Sequence, residues 1–140
     1  MFQGTSLLAL DQKGRLMLPT RHKADVLQVC RGQLTLTRHP DGCLVIYPRD
    51  SWMEKRAALL ALPNTARQLV RLVLGSAVDV ELDKAGRLLV PPELRSAAML
   101  DKDVALVGLG EHFELWDRDT WLTKMSAPLT VDMDTISFTF

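Results

Sequence analysis

The chain carries one sequence pattern twice, and that repeat constrains its fold more than any single residue does. Asp11-Gln12-Lys13-Gly14-Arg15-Leu16-Met17-Leu18-Pro19 matches Asp83-Lys84-Ala85-Gly86-Arg87-Leu88-Leu89-Val90-Pro91, sharing Asp, Gly, Arg, Leu and Pro at an offset of 72 residues. Downstream, Leu44-Val45-Ile46-Tyr47-Pro48-Arg49-Asp50-Ser51-Trp52 matches Phe113-Glu114-Leu115-Trp116-Asp117-Arg118-Asp119-Thr120-Trp121 at an offset of 69. Two separated matches in the same order argue against chance and for a fold built from a repeated unit. The three-residue slack belongs in a loop, either Arg31–Gly32 or Pro40-Asp41-Gly42. A copy of about 45 residues is too small to support a good core, so the two are expected to pack as one pseudo-twofold body.

Within each copy the periodicity is mostly that of a half-buried strand. Val78, Val80 and Leu82 alternate with Asp79 and Glu81, and Leu34 and Leu36 alternate with Thr35 and Thr37. Asp11 to Gly14 and Asp83 to Gly86 each join two apolar runs. Both suit a type I turn in which the Asp side chain bonds the turn backbone and the Gly takes positive φ. Pro19 and Pro91–Pro92 open short helices expected to reach about Leu27 and Leu100. After Tyr47 the spacing becomes helical, with Asp50 as N-cap, Trp52, Arg56, Leu59 and Leu60 in the body, and Pro63 as the stop. Asn64 is expected to cap a second helix carrying Leu69, Leu72 and Val73 and ending at Gly75. Asp117 or Asp119 caps the equivalent helix of the second copy. Each copy therefore reads strand, turn, strand, short helix, strand, strand, helix. Ser126 to Phe140 has no amphipathic period and reads as a strap on the body or on a neighbour, since Ile136, Phe138 and Phe140 alternate with polar residues.

Composition limits the function classes. With 140 residues, 47% hydrophobic and 24% charged, the chain is globular and large enough for one core. Seventeen basic and seventeen acidic residues cancel, so no overall field steers it to nucleic acid or to an anionic membrane. Any such binding must come from local clustering. From Asp11 to Asp25, Lys13, Arg15, Arg21 and Lys23 exceed the acidic residues by two; from Asp83 to Arg95, Lys84, Arg87 and Arg95 exceed them by one. Arginine's planar fork suits phosphates and the O6/N7 edge of guanine. Asp11 either holds that fork or merely closes the turn. On one copy alone a solvated hairpin with an ion pair worth ~0 to 1 kcal/mol would explain the motif; duplication weighs against that. Arg67 and Arg71, four apart on the linker, read as a solvated helix face. No run approaches the ~18 apolar residues of a membrane span, and Met1-Phe2-Gln3-Gly4 lacks secretory-signal character. With only Cys30 and Cys43 for thiols, a cytoplasmic location is expected.

An enzyme or metal reading has one candidate segment, His39-Pro40-Asp41-Gly42-Cys43, which places an imidazole, a carboxylate and a thiol within five residues. Pro-Asp-Gly between apolar runs signals a turn, whose residues are expected to diverge, and no second ligand pair stands elsewhere. His22 and His112 are isolated. No catalytic residue, metal or cofactor is therefore expected. The repeated aromatics Tyr47/Trp116 and Trp52/Trp121 are read as packing groups and not as base-stacking platforms.

The duplicated Asp-x-x-x-Arg hairpins, Asp11/Arg15 and Asp83/Arg87, resemble the MraZ family of bacterial transcriptional regulators. The opening Met-Phe-x-Gly, the Lys13-Gly14-Arg15 run, Pro91-Pro92-Glu93-Leu94-Arg95 and the aromatic pair ending each copy fit the same resemblance, which extends to about residue 125. It implies an α+β fold, a pseudo-twofold AbrB-like double-split (swapped-hairpin) β-barrel made of two tandem repeats with short flanking helices. On that reading residues 5–52 and 77–121 are the AbrB-like repeats, 53–76 a helical linker and 122–140 a C-terminal tail. The resemblance further implies ring-shaped homo-oligomers, nucleoid association, and binding of double-stranded DNA at short G-rich direct repeats in the promoter of the division and cell-wall gene cluster. Arg15 and Arg87 are the DNA contacts it marks; Lys13, Lys84, Arg21 and Lys23 join them on charge, while Asp11, Gly14, Asp83 and Gly86 structure the turns. Because Arg21 and Lys23 follow the first hairpin and Glu93 the second, Arg15 is expected to matter more than Arg87. AbrB-like folds also serve as antitoxins, so a toxin-binding protein is the alternative; the short tail and the two hairpins in one chain favour the regulator.

Overall fold

The computed structural model describes residues 1–140. The first copy runs β1 (Phe2–Ala9), β2 (Arg15–Met17), α1 (Thr20–Cys30), β3 (Gln33–Arg38), β4 (Leu44–Pro48) and α2 (Arg49–Leu60). A 3-10 turn (Asn64–Ala66) and α3 (Arg67–Val73) lead to the second copy: β5 (Val78–Glu81), β6 (Arg87–Leu89), α4 (Pro92–Ala97), β7 (Asp103–Gly110), β8 (Phe113–Asp117) and α5 (Arg118–Ser126). The fold is α+β, with a six-stranded antiparallel sheet in the order β1-β7-β8-β4-β3-β5 and a two-stranded ribbon of β2 with β6. No helix is long and apolar enough to cross a membrane.

The copies exchange strands. Only β3–β4 and β7–β8 pair within a copy; β1–β7, β3–β5, β4–β8 and β2–β6 all join one copy to the other. The register shows the pseudo-twofold axis. Leu16 faces Leu88 at the centre of the ribbon, and Val45 faces Glu114 at the centre of the sheet, flanked by Leu44↔Leu115 and Ile46↔Phe113.

Alternation along the strands sends Leu34, Leu36, Leu44, Ile46, Val104, Leu106, Phe113 and Leu115 to one face of the sheet. There they meet Leu16, Leu18, Leu88 and Val90 of the hairpins and Val26 and Leu94 of α1 and α4, in one continuous cluster of 17 buried residues. Each such side chain contributes about 1.5–3 kcal/mol on burial, so the core belongs to both copies jointly. On the outer face Cys43, Ala105, Val107 and Trp116 form a smaller cluster. Thr35 and Thr37, buried beside it, are satisfied: Thr35 donates to the Asp79 carboxylate at 2.8 Å and Thr37 to the Val73 carbonyl. The aromatics pack in equivalent pairs, Tyr47 on Trp52 at 5.9 Å and Trp116 on Trp121 at 5.8 Å.

Several local expectations are corrected. Helix α1 continues to Cys30, three residues past Leu27, and stops where Arg31 turns left-handed (φ 56) and donates to the Leu27 carbonyl. Helix α4 stops at Ala97, short of Leu100, because Met99 takes φ 54 and breaks the hydrogen-bond register. Asp50 lies inside the first turn of α2 without capping it, since Pro48 occupies the preceding position, and Asn64 begins a 3-10 turn in place of a helix cap. Of the two candidates for α5, Asp117 is the cap. The three-residue slack falls in the β-hairpins, where residues 39–43 join β3 to β4 but only Glu111 and His112 join β7 to β8. Residues 122–140 are exposed throughout, so the tail does not strap its own body. It turns on itself instead, with Asp132 accepting from the Asp134 amide and Phe138 edge-on to Phe140 at 4.9 Å.

Candidate nucleic-acid interface

The two hairpin turns are built by the same bonds. In the first, Gly14 N–H donates to the Asp11 carbonyl at 3.0 Å, and Asp11 Oδ1 accepts from the amides of Lys13 and Arg15, both at 2.9 Å. In the second, Gly86 N–H donates to the Asp83 carbonyl at 3.0 Å, and Asp83 Oδ1 accepts from the amides of Ala85 and Arg87, again at 2.9 Å. The glycines hold φ 82 and φ 83, a region that side chains disfavour.

The second carboxylate oxygen answers the question the sequence left open, because it does hold the fork. Arg15 Nε donates to Asp11 Oδ2 at 2.7 Å and Arg87 Nε to Asp83 Oδ2 at 2.9 Å. One edge of each guanidinium is thereby fixed, while its terminal nitrogens make no hydrogen bond within the protein. Backbone N–H groups, those of Arg15 and Arg87 foremost, together with the guanidinium charges, hold both carboxyls below the usual aspartate range. Both are charged at neutral pH. The arginines are 29% and 33% exposed, so they are neither buried nor free to wander. Ribbon register puts Arg15 beside Leu89 and Met17 beside Arg87 on one face, with Leu16 and Leu88 buried beneath. That face offers two oriented forks separated by two exposed apolar side chains.

The remaining sequence candidates divide differently from expectation. Lys13 and Lys84 are exposed at the turn tips. Lys23, on α1 of the first copy, lies over the turn of the second: its side chain fills the space where a Gly86 Cβ would stand, and its ammonium is 3.5 Å from the Ala85 carbonyl. Arg95, on α4, does the same over Gly14 of the first turn and donates from Nε to the Val90 carbonyl at 3.0 Å. Arg21 stands beside Gly4 of β1, off both turns. Each turn therefore gathers three basic residues, one supplied by the other copy: Lys13, Arg15 and Arg95 at the first, Lys84, Arg87 and Lys23 at the second. The expected surplus of charge at the first hairpin is corrected, because the exchange of strands carries Lys23 across. Arg95 was missing from the candidate set. Its signal was present, for Lys23 and Arg95 stand one repeat offset apart on equivalent helices.

The His39 to Cys43 segment also departs from expectation. Its ends do not diverge; they face each other as a hairpin pair, with His39 N–H donating to the Cys43 carbonyl at 2.9 Å. Cys43 is buried, and burial, reinforced by the Glu114 charge, pushes its thiol up to about 12. A thiol so protonated is not a nucleophile at neutral pH.

A duplicated α+β body, whose ordered surface chemistry is a symmetric pair of carboxylate-pinned arginine hairpins, defines a class of tandem-repeat protein. Comparison with known proteins narrows that class. A family model described as "MraZ protein, putative antitoxin-like" matches residues 1–70 and 73–128. A protein named transcriptional regulator MraZ from Bordetella pertussis is 57% identical over 117 residues, covering 84% of this chain and 82% of that one. Proteins of the same name from Cupriavidus taiwanensis (54% over 124 residues, 89% and 87% covered) and Acidovorax sp. strain JS42 (52% over 133 residues, 95% and 94% covered) match as well. The chain belongs to the MraZ family.

Proposed function

We propose that the protein is a sequence-specific transcriptional regulator that binds double-stranded DNA through its two hairpin turns. The observation that carries this reading is the pinning of Arg15 by Asp11 and of Arg87 by Asp83, which leaves two pre-oriented donor forks on one exposed face. A fork fixed along one edge loses less side-chain freedom on meeting a guanine edge or a phosphate than a free arginine does. Lys13, Lys84, Lys23 and Arg95 supply phosphate contacts around them, and Arg21 is the least engaged of the candidates. Relatives named transcriptional regulators support the same reading.

Six basic residues in one protomer give limited affinity, which grows with the phosphates neutralised. A ring-shaped homo-oligomer multiplies the contact. Rotation about a ring axis carries each protomer to the next in the same sense, so the matching operator is a series of direct repeats, G-rich for the arginine forks, in the promoter of the division and cell-wall gene cluster. Leu27 and Val29 on α1, Leu60 at the end of α2 and Leu62 just beyond it are exposed apolar residues available for such assembly. On this reading the protein is cytoplasmic and nucleoid-associated, residues 5–52 and 77–121 act as a swapped-hairpin AbrB-like double-split barrel, 53–76 serves as its linker, and 122–140 is left to contacts between protomers.

A shift assay against the DNA upstream of the protein's own gene tests this. Specific binding should weaken steeply with salt. Arg15→Ala and Arg87→Ala should each cost about 1–3 kcal/mol per engaged protomer and relax preference at one base, with comparable losses because the basic residues are shared evenly between the turns. Normal operator binding by either variant, or a loss that tracks only a collapsed assembly on size-exclusion chromatography, overturns the hairpin mode. The exposed tail and the antitoxin-like description of the family favour one second reading, a toxin-neutralising protein; co-purification with a small toxic partner and no operator shift would establish it.

A further inference from the structure

The outer face of the sheet carries a cluster that the hairpin function does not use. His39, just past the end of β3, Cys43, just before β4, and Glu114 of β8 each present one donor atom, and these atoms lie within 4.8 Å of one another. We propose that His39, Cys43 and Glu114 form a binding site for one zinc-type divalent cation, with water in the fourth position.

The donor set fits such an ion. One thiolate, one imidazole and one carboxylate are the nitrogen, sulfur and oxygen ligands a borderline-soft tetrahedral cation takes. Bond lengths of about 2.0–2.3 Å place tetrahedral donors roughly 3.3–3.7 Å apart, so the cluster must close by about 1 Å. Rotation of the partly exposed His39 and Glu114 side chains supplies that. Cys43 forms the dry floor, packed with Ala105, Val107 and Trp116.

The surroundings orient the donors. Glu114 Oε1 accepts the Trp116 indole N–H at 3.0 Å, which leaves its other oxygen unengaged. His39 Nδ1 accepts the Asp41 amide at 3.0 Å and has Asp41 Oδ2 at 3.7 Å, while Nε2 makes no hydrogen bond. Ligation through Nε2 moves the ring proton to Nδ1, which gives up the Asp41 amide and, as the 3.7 Å gap closes, donates to the Asp41 carboxylate, the carboxylate–histidine pairing common behind metal ligands. An opposing charge is Lys124, whose ammonium stands 5.4 Å over the Trp116 ring and acts on Cys43. Binding replaces the Cys43 S–H bond with a sulfur–metal bond and releases the proton to solvent; since burial holds that thiol high, affinity falls as pH falls.

The repeat supplies an independent argument. At the pseudo-symmetric site the second copy supplies Glu111 and His112 from a turn three residues shorter, and the first copy supplies Val45 where Glu114 stands here. The donor set thus occurs once, where the longer β3–β4 turn of the first copy meets Glu114 of the second, and the duplicated fold itself does not require it. A bound ion would tie the β3–β4 turn of one copy to β8 of the other.

The test uses the full chain, stripped with chelator and titrated with Co2+ alone. A thiolate-to-cobalt charge-transfer band saturating at one equivalent, displaced by Zn2+, is expected, with Zn2+ also raising the melting temperature. Cys43→Ser should abolish the band, Cys30→Ser should leave it, and His39→Ala and Glu114→Gln should each weaken Co2+ binding about tenfold or more. The absence of a band, a band that follows Cys30, or unchanged affinity in the His39→Ala or Glu114→Gln variants overturns the site. The last two variants keep the test valid should Cys43→Ser fail to fold. DNA binding is not a readout here, so this site and the hairpin function stand or fall separately.

Discussion

His22 occupies in the first copy the place Leu94 holds in the second, and both are buried. Neither ring nitrogen of His22 has a hydrogen-bond partner; the ring stands edge-on to Phe113 at 4.9 Å and to Phe2 at 6.3 Å. Burial lowers its pKa, the Arg21 charge adds to that, and Asp25 opposes it. The unfolded chain therefore takes up a proton near pH 6.5 while the buried ring does not. Stability should be flat above that pH and fall as pH drops through it toward the depressed native value. His22→Leu should raise stability by about 1–3 kcal/mol, through removal of unsatisfied polar atoms, and reduce the acid slope. Urea melts at pH 7.5 and 5.5 check both, and an unchanged slope would assign it elsewhere. Two glycines give a second contrast. Both hold positive φ, but a Cβ on Gly14 would stand 2.5 Å from Arg95 Cζ, whereas one on Gly42 meets nothing within 4 Å. Gly42→Ala should cost only backbone strain, about 1 kcal/mol, and Gly14→Ala measurably more in the same melts, with Arg95 pushed off the first turn.

At the scale of elements, α5 is capped by a side chain and α2 is not. Asp117 accepts from the Thr120 amide at 3.0 Å and its hydroxyl at 2.9 Å, while the matching position before α2 is Pro48. Asp117→Ala should cost about 1 kcal/mol in thermal or urea unfolding, and Asp50→Ala clearly less. Deleting residues 127–140 should leave unfolding stability almost unchanged, because none of those side chains is buried. These elements also show what could be read in advance. The Asp-to-Gly turns, the strand alternation of Leu34 and Leu36 and the proline-led helices are local, and the sequence signals them through properties of neighbouring residues. Helix ends were less legible: α4 stops because Met99 adopts a left-handed conformation that nothing in its side chain announces. Strand partners were not legible at all. That Lys23 covers Gly86, or that Glu114 comes to rest by Cys43, depends on a register set between residues about 60 to 70 positions apart.

At the scale of the molecule, a fragment ending at Pro63 would retain β1, β2, β3 and β4 but lose β7, β6, β5 and β8, the partners they take from the other copy. It should be insoluble or self-associate, with a second fragment supplying the missing strands. Size-exclusion chromatography with thermal melting checks this, and a monomeric, cooperatively melting fragment would show two independent halves. The same exchange bears on how such a molecule can change. In a dimer of two identical chains, any substitution is made twice, once in each half, and must be tolerated in both places together. Joined in a single chain through Leu62 and Gly75, the halves answer to separate codons. Either can acquire a change the other is spared, as His22 against Leu94, Glu114 against Val45 and the longer turn at Pro40 show. A polypeptide of this design keeps the economy of a symmetric core while giving its two ends separate histories.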